Sequence, residues 1–394
     1  MSKITEEYLG AVIRKIAAAN HIEDWSYNVE KFQSIAQNYF GILIPVVLSG
    51  KSKWKEVKLS LVLKLAPTNE QYRKSGAVTV MFVREVFMYS VVLKKYREIQ
   101  EKLPSNPQYI IPQCYFVQEG YCKEALALQD MCDIGYKPYT HNMFLDLDHT
   151  LVSLKSLAKL HALSFILKKQ DPKLYEEIKL TCIPLTEHTN LRYMEVMRDR
   201  LDQALKKLQG TTYIPTLQKL RQHCAQYFYA AAHSVENLCI CHGDIWKENI
   251  LFKYENNKPV SACMIDYQTA RICSPAYDTM YFILSSTNTK LRNRYLDQLL
   301  DIYYRTFETA LKDFGLDSEE IYVRQMFDKD LKIVSPACLI AANTALWLTN
   351  GLQEVGHVRS KHVWNTKEEK ALAEENYKGI VKAMIDDLSS FGYL

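Results

Sequence analysis

Apolar residues recur at helical spacing near the start of the chain, where Ile4, Tyr8, Leu9, Val12, Ile13 and Ile16 predict an amphipathic packing helix over residues 3–19. The pattern then changes. Apolar runs of strand length fall at 34–39, 41–48 and 57–65, the last two separated by the polar loop 49–53, and further strands are predicted at 109–117 and 123–128. From Gly135 onward helical periodicity dominates, over 145–168, 190–208 and 214–234. Strands return briefly at 238–241, 250–254 and 260–265. Helical patterns then fill 280–284, 290–314, 318–330, 332–352 and 367–390.

A strand-rich first third followed by a mostly helical remainder defines an α+β chain. No repeat or low-complexity linker interrupts it, and 394 residues suit two lobes sharing a cleft better than one small core. The division is expected near the stretch Ala127-Leu128-Gln129-Asp130-Met131, giving an N-terminal lobe of 1–130 and a C-terminal lobe of 131–394.

The chemistry concentrates in the later strand pair. His242-Gly243-Asp244-Ile245-Trp246-Lys247-Glu248-Asn249 sits between two apolar runs, and Ile265-Asp266-Tyr267-Gln268 follows at hairpin distance. Four residues separate Asp244 from Asn249, the spacing of His-x-Asp-x-x-x-x-Asn in phosphoryl-transfer enzymes. Asp244 would accept a hydrogen bond from a substrate hydroxyl, and the amide oxygen of Asn249 and the carboxylate of Asp266 are hard ligands suited to Mg²⁺. Any one of these residues means little. All four in order, on strand, loop, strand and strand, are specific.

These motifs, with Asp278 in Tyr277-Asp278-Thr279-Met280, closely resemble the insect ecdysteroid kinase-like family, within the choline-kinase-like and aminoglycoside-phosphotransferase-like enzymes. The resemblance runs through nearly the whole chain. It implies a two-lobe protein-kinase-like fold: an N-terminal antiparallel sheet lobe and a larger, mainly helical C-terminal lobe. It also implies an ATP- and Mg²⁺-dependent kinase acting on a small alcohol, an ecdysteroid or a similar apolar compound. Lys64, a lone lysine in the apolar strand Leu61-Val62-Leu63-Lys64-Leu65, becomes the phosphate-binding lysine, and Glu85 in the following helix its partner. The alternative is a lysine snorkelling from an edge strand and a solvated glutamate.

The loop Gln37-Asn38-Tyr39-Phe40-Gly41 would cover the nucleotide phosphates, with Asn38 in contact, although it is poor in glycine. Gln129 and Met131 would face the adenine edge at the hinge, where the family usually carries an acidic residue in place of Gln129. Gly50-Lys51-Ser52 imitates the end of a P-loop, but the first glycine of that motif would fall at Pro45, which rules it out.

Eleven residues separate Asp266 from Asp278, with no Ala-Pro-Glu, which leaves no room for a peptide-docking segment and points to a small acceptor. Asp278 either caps its helix or braces the catalytic loop. Lys247 either adds charge near the transferring group or is solvated. His242 supports the loop through hydrogen bonds. His161, Tyr303, Tyr304, Trp347 and Trp364 are expected in the core, with an apolar acceptor pocket the other use of the last four.

Composition narrows the partners. A formal charge of +4, without aromatics interleaved among basic clusters, does not suit nucleic acid. Apolar content of 48% and charged content of 24% are those of a soluble globular chain. The first twenty residues lack the unbroken apolar run of a secretion signal, and no window is expected to span a membrane, so a cytoplasmic monomer is anticipated. Ten cysteines, clustered only at Cys239-Ile240-Cys241, read as reduced, packed thiols without zinc. A choline-like or aminoglycoside-like acceptor would call for an acidic ring or an aromatic cage in the second lobe, and no concentrated acidic cluster is visible. A third possibility is a relative that binds nucleotide without turnover.

Overall fold

The computed structural model describes residues 5–30, 41–70, 73–74, 77–103, 107–353 and 364–394. The expected strand at 34–39 and Asn38, with the rest of the phosphate loop before Gly41, lie outside them. Helix α1 (Glu6–Ala19) begins where the Thr5 hydroxyl accepts from Tyr8 N at 3.2 Å, with Glu6 and Glu7 complementing the helix dipole. Leu9, Val12, Ile13 and Ile16 are buried and share a core with Val46, Leu48, Leu61 and Leu63 of the sheet.

That sheet is antiparallel, in the order β1-β2-β3-β5-β4, from β1 (Glu23–Val29), β2 (Ile42–Ser52), β3 (Lys55–Leu65), β4 (Cys114–Gln118) and β5 (Ala125–Gln129). Strand β1 was not anticipated. Trp25, Tyr27 and Val29 alternate with polar residues as an edge strand requires, but the segment buries little. The expected strand over 109–117 is shorter than its apolar run: Ile110 makes only an isolated bridge to Cys263, and Pro112 cannot donate to a ladder.

Helices α2 (Val78–Phe87) and α3 (Leu93–Gln100) are joined by a π-helical turn, Met88–Val92. After Gly135 a short strand β6 (Tyr136–Pro138) precedes the first long helix, correcting the expectation of immediate helix. Helices α4 (Leu147–Gln170), α5 (Pro172–Thr181), α6 (Leu191–Lys207), α7 (Ile214–Gln222) and α8 (Cys224–His233) follow. Strand β7 (Cys239–Cys241) pairs with β10 (Arg271–Cys273), and β6 pairs with β8 (Ile250–Glu255), which pairs with β9 (Lys258–Met264). The chain closes with α9 (Pro275–Ser286), α10 (Thr289–Asp313), α11 (Ser318–Ile321), α12 (Arg324–Thr349) and α13 (Lys367–Ser390). The break expected near 331 falls instead at Tyr322 and Val323, and α12 runs unbroken through Pro336.

Helices α4 and α12 are long and apolar enough to cross a membrane, contrary to the reading that no window would be. Their apolar windows are 78% and 83% buried inside the fold, so the composition reflects two central core helices. The large core also takes in Met88, Tyr89, Val92, Tyr96, Ile99 and Tyr109 from the first third of the chain. Trp347, Tyr303 and Tyr304 are buried there, and Trp364 packs against it. The architecture is an antiparallel sheet lobe joined to a larger helical lobe, the two-lobe protein-kinase-like arrangement.

Candidate active site

The loop between β7 and β8 turns its apolar residues inward. Ile245 is fully buried and Trp246 nearly so, while Asp244 between Gly243 and Ile245 is half-buried. Gly243 makes the turn possible: its φ is +83°, and a Cβ there would lie 2.2 Å from the Thr269 carbonyl oxygen. Asp278 holds the loop from below, one carboxylate oxygen accepting from His242 N at 2.6 Å and the other from Gly243 N at 3.0 Å. Ser274, not Asp278, caps α9, accepting from Ala276 N at 3.2 Å, so Asp278 is a brace.

His242 ties the two functional segments together. Its Nδ1 accepts from Asp244 N at 3.4 Å, and its Nε2–H donates to the Ile265 carbonyl at 3.0 Å. Burial lowers its basicity, which keeps it neutral and in that tautomer. Asn249 completes the tie, since its carbonyl accepts from Ile265 N at 3.0 Å beside Asp266. The Asn249 amide nitrogen donates to the Asp244 carbonyl at 2.8 Å and to Asp244 Oδ2 at 3.3 Å. That orientation commits the nitrogen and turns the amide oxygen the other way.

Asp244 Oδ1 accepts from the Tyr281 hydroxyl at 2.8 Å. Burial pushes the Asp244 carboxyl up to about 6, partly offset by the Tyr281 bond. Asp266 sits at φ +70°, a left-handed conformation that non-glycine residues adopt at a cost of order 1–3 kcal/mol and that gathers at functional sites.

Lys64 reaches Asp266 from β3. Its ammonium lies 2.8 Å from Asp266 Oδ1 and 2.5 Å from Glu85 Oε2, with the Gln268 amide oxygen at 3.5 Å. The Glu85 contact is an ion pair without an aligned hydrogen bond. Lys64 and Glu85 are 4% and 2% exposed, so the reading of a snorkelling lysine and a solvated glutamate does not describe them. Burial drives the Glu85 carboxyl up to about 7 even beside the lysine, while Asp266 and Glu85 more than offset the effect of burial on Lys64.

At the end of β5, Gln129 N donates to the Gln113 carbonyl at 2.8 Å and Asp130 N to the Ser60 carbonyl at 2.9 Å. The Met131 N–H has no partner among the described residues, and its buried side chain packs with Tyr136, Cys263, Leu251 and Ile265. The Gln129 side chain turns back to accept from Gln113 N at 3.3 Å. Lys247 is not solvated: it is buried and paired with Glu248 at 2.7 Å.

The structure therefore brings Lys64, Glu85, Asp266, Asn249 and Asp244 together and sets Gln129 at the end of β5 and Met131 in the turn between β5 and β6. Sequence reasoning missed Tyr281, although it lies three residues after Asp278 and so on the same helix face. It also missed Arg271, 3% exposed, its guanidinium 4.7 Å from the Tyr277 ring centroid beneath Gly243. The structure further gathers His161, Cys239 and Cys241, ligand atoms within 4.8 Å of one another, where the chain had shown no zinc set. Both His161 nitrogens are engaged, with the Tyr303 hydroxyl at 2.6 Å and Asp278 at 3.3 Å. Burial keeps both thiols protonated.

A fold of this kind, with these residues on its catalytic loop and no peptide-docking segment after it, defines a small-molecule kinase. The chain belongs to the ecdysteroid kinase-like family, whose model matches residues 36–316. No curated protein gives a significant match. Among solved structures it is similar to wild-type aminoglycoside 2'-phosphotransferase-IIIa in its GDP complex, at 12% identity and a TM-score of 0.43, covering 96% of this chain and 99% of that one. A choline/ethanolamine kinase family protein from Mesorhizobium loti gives 12% and 0.42, covering 97% and 99%. Glucosamine kinase in complex with glucosamine, ADP and inorganic phosphate gives 13% and 0.40, covering 98% and 83%.

Proposed function

We propose that the protein transfers the γ-phosphoryl group of ATP to a hydroxyl of a small apolar alcohol, an ecdysteroid or a similar compound. The observation that carries this is the meeting of Asp244 and Asn249 with Asp266 and the Lys64–Glu85 pair in one cluster.

In this reading Asp244 orients the acceptor hydroxyl and takes its proton. The acceptor oxygen bonds to the γ-phosphorus as the bond to the β-phosphate oxygen breaks, and ADP leaves with that electron pair. Lys64, held by Glu85, binds phosphate oxygens once nucleotide draws it from Asp266. The amide oxygen of Asn249 and the carboxylate of Asp266 suit a hard, oxygen-seeking cation, and Mg²⁺ held there would neutralise charge on the phosphates. The Met131 N–H offers the adenine edge a donor, over the apolar floor made with Ile265 and Leu251. An apolar acceptor is favoured by the family to which the chain belongs.

The test is incubation with labelled ATP, Mg²⁺ and a metabolite extract, followed by identification of whatever acquires phosphate. A phosphorylated steroid or comparable apolar alcohol supports the proposal. A labelled cationic alcohol would replace the acceptor class, and no labelled product would refute the kinase reading for this chain.

A further inference from the structure

We infer that Tyr281 is a positioning residue that selects which oxygen of Asp244 receives the acceptor proton; this rests on the phosphotransfer reading above. Tyr281 lies on α9, one turn beyond Tyr277, with the two rings stacked at 6.3 Å. It is 3% exposed, and its hydroxyl donates to Asp244 Oδ1 at 2.8 Å. Burial, reinforced by the charge of Asp244, pushes the phenol well above its ordinary range, so it remains a hydrogen-bond donor throughout the working range.

The two oxygens of Asp244 are thereby unequal. Oδ1 is held by a short bond from a ring that cannot swing, because Tyr277 lies against it and the surrounding helix is buried. Oδ2 receives only a long contact, 3.3 Å, from the Asn249 amide nitrogen, whose nearer partner is the Asp244 carbonyl at 2.8 Å. Oδ2 is therefore the oxygen left for the acceptor: it takes the hydroxyl proton as the new O–P bond forms and ADP departs. Without the phenol, the carboxylate is free to rotate about its last bond and present either oxygen at a range of angles, and a proton acceptor must sit within hydrogen-bond reach of its target.

Removing the donor also makes the carboxylate more basic, which alone would favour proton uptake. The two effects have opposite signs, and the rate reports which one dominates. Tyr281→Phe keeps the ring and its stack, and kcat is expected to fall about ten- to a hundredfold, the scale of a hydrogen bond to a charged group. KM for ATP is expected to stay within about twofold, since among the described residues Tyr281 contacts Asp244 and Tyr277 rather than Lys64, Glu85 or Asp266. In an Asp244→Asn background, the same substitution should cost nothing further on the residual rate, because the group it positions is gone.

An unchanged or raised kcat in Tyr281→Phe overturns the inference. So does an equal loss in both backgrounds, or a rise in the KM for ATP matching the fall in kcat, either of which marks general damage to the fold. Failure of the wild-type protein to phosphorylate any alcohol overturns the parent reading and this inference with it. Wild-type turnover with an unimpaired Tyr281→Phe overturns this inference alone.

Discussion

Replacing Asp278 by asparagine changes one atom type and almost no volume, yet it is expected to damage the catalytic loop severely. The two carboxylate oxygens serve two backbone donors separately, His242 N at 2.6 Å and Gly243 N at 3.0 Å. An amide has one acceptor oxygen, so one of these N–H groups would face an NH₂ group in a fully buried site. Leaving such a donor unsatisfied costs about 1–3 kcal/mol, and weakening the surviving charge-assisted bond adds about 1 kcal/mol, for a total of about 2–4 kcal/mol. Domains of ordinary stability have about 5–15 kcal/mol in all, so the loss is readily measured.

Urea unfolding followed by tryptophan fluorescence should show a lower midpoint at unchanged slope. Turnover should fall about a hundredfold, because the loop that carries Asp244 shifts. The pH dependence supplies a second reading. Burial raises the Asp278 carboxyl, but His161, first through its hydrogen bond, with the charge of Arg271, more than reverses this and holds it below its ordinary range. A depressed carboxylate contributes stability that is complete above its unfolded value of about 4 and is lost as pH falls through the folded value. The asparagine variant should lack that acid-dependent loss. A variant destabilised by less than about 1 kcal/mol with wild-type turnover would refute the bracing argument.

Three further outcomes follow from the same geometry. Gly243→Ala places a Cβ 2.2 Å from the Thr269 carbonyl oxygen at φ +83°, so both melting temperature and kcat should drop; an active, equally stable variant would show that the turn can be rebuilt. Asp244 must be ionised to accept a proton, and its carboxyl is pushed up to about 6 by burial, so kcat should rise with pH through about 6 and level off above; an acid limb near 4 would contradict this. Lys64→Met removes the cation from between Glu85 and Asp266, and kcat/KM for ATP should fall about a hundredfold or more, measured by coupled ADP release; a loss under about tenfold would count against phosphate binding by Lys64.

The catalytic loop was legible because its chemistry is local: His242, Asp244 and Asn249 lie within eight residues, and their spacing alone specifies which side chains share the turn. The apolar run around Lys64 likewise announced a buried strand whose one charge needed a partner. Residues acting across the fold were harder to read. Tyr281 looks like any core aromatic until α9 places it against Asp244, and Asp278 stood level between cap and brace until Ser274 took the capping position. His161 meets Cys239 and Cys241 only through the packing of α4 on β7, which no short spacing records. Strand β1 was obscured for the opposite reason, since an edge strand with two mostly exposed faces has little apolar pattern to display.

The shared core ties the first third of the chain to the helices that follow it. Tyr96, Ile99 and Tyr109 are anchored among the helices, and the Tyr109 hydroxyl is bonded to Tyr267 immediately after Asp266. Swinging the entire first third of the chain outward would tear apolar surface into water. Helix α1 and the strands keep a further core of their own, yet Leu126 of β5, which faces Lys64 across the sheet, belongs to the helical one, so the strand that carries Lys64 is held from both sides.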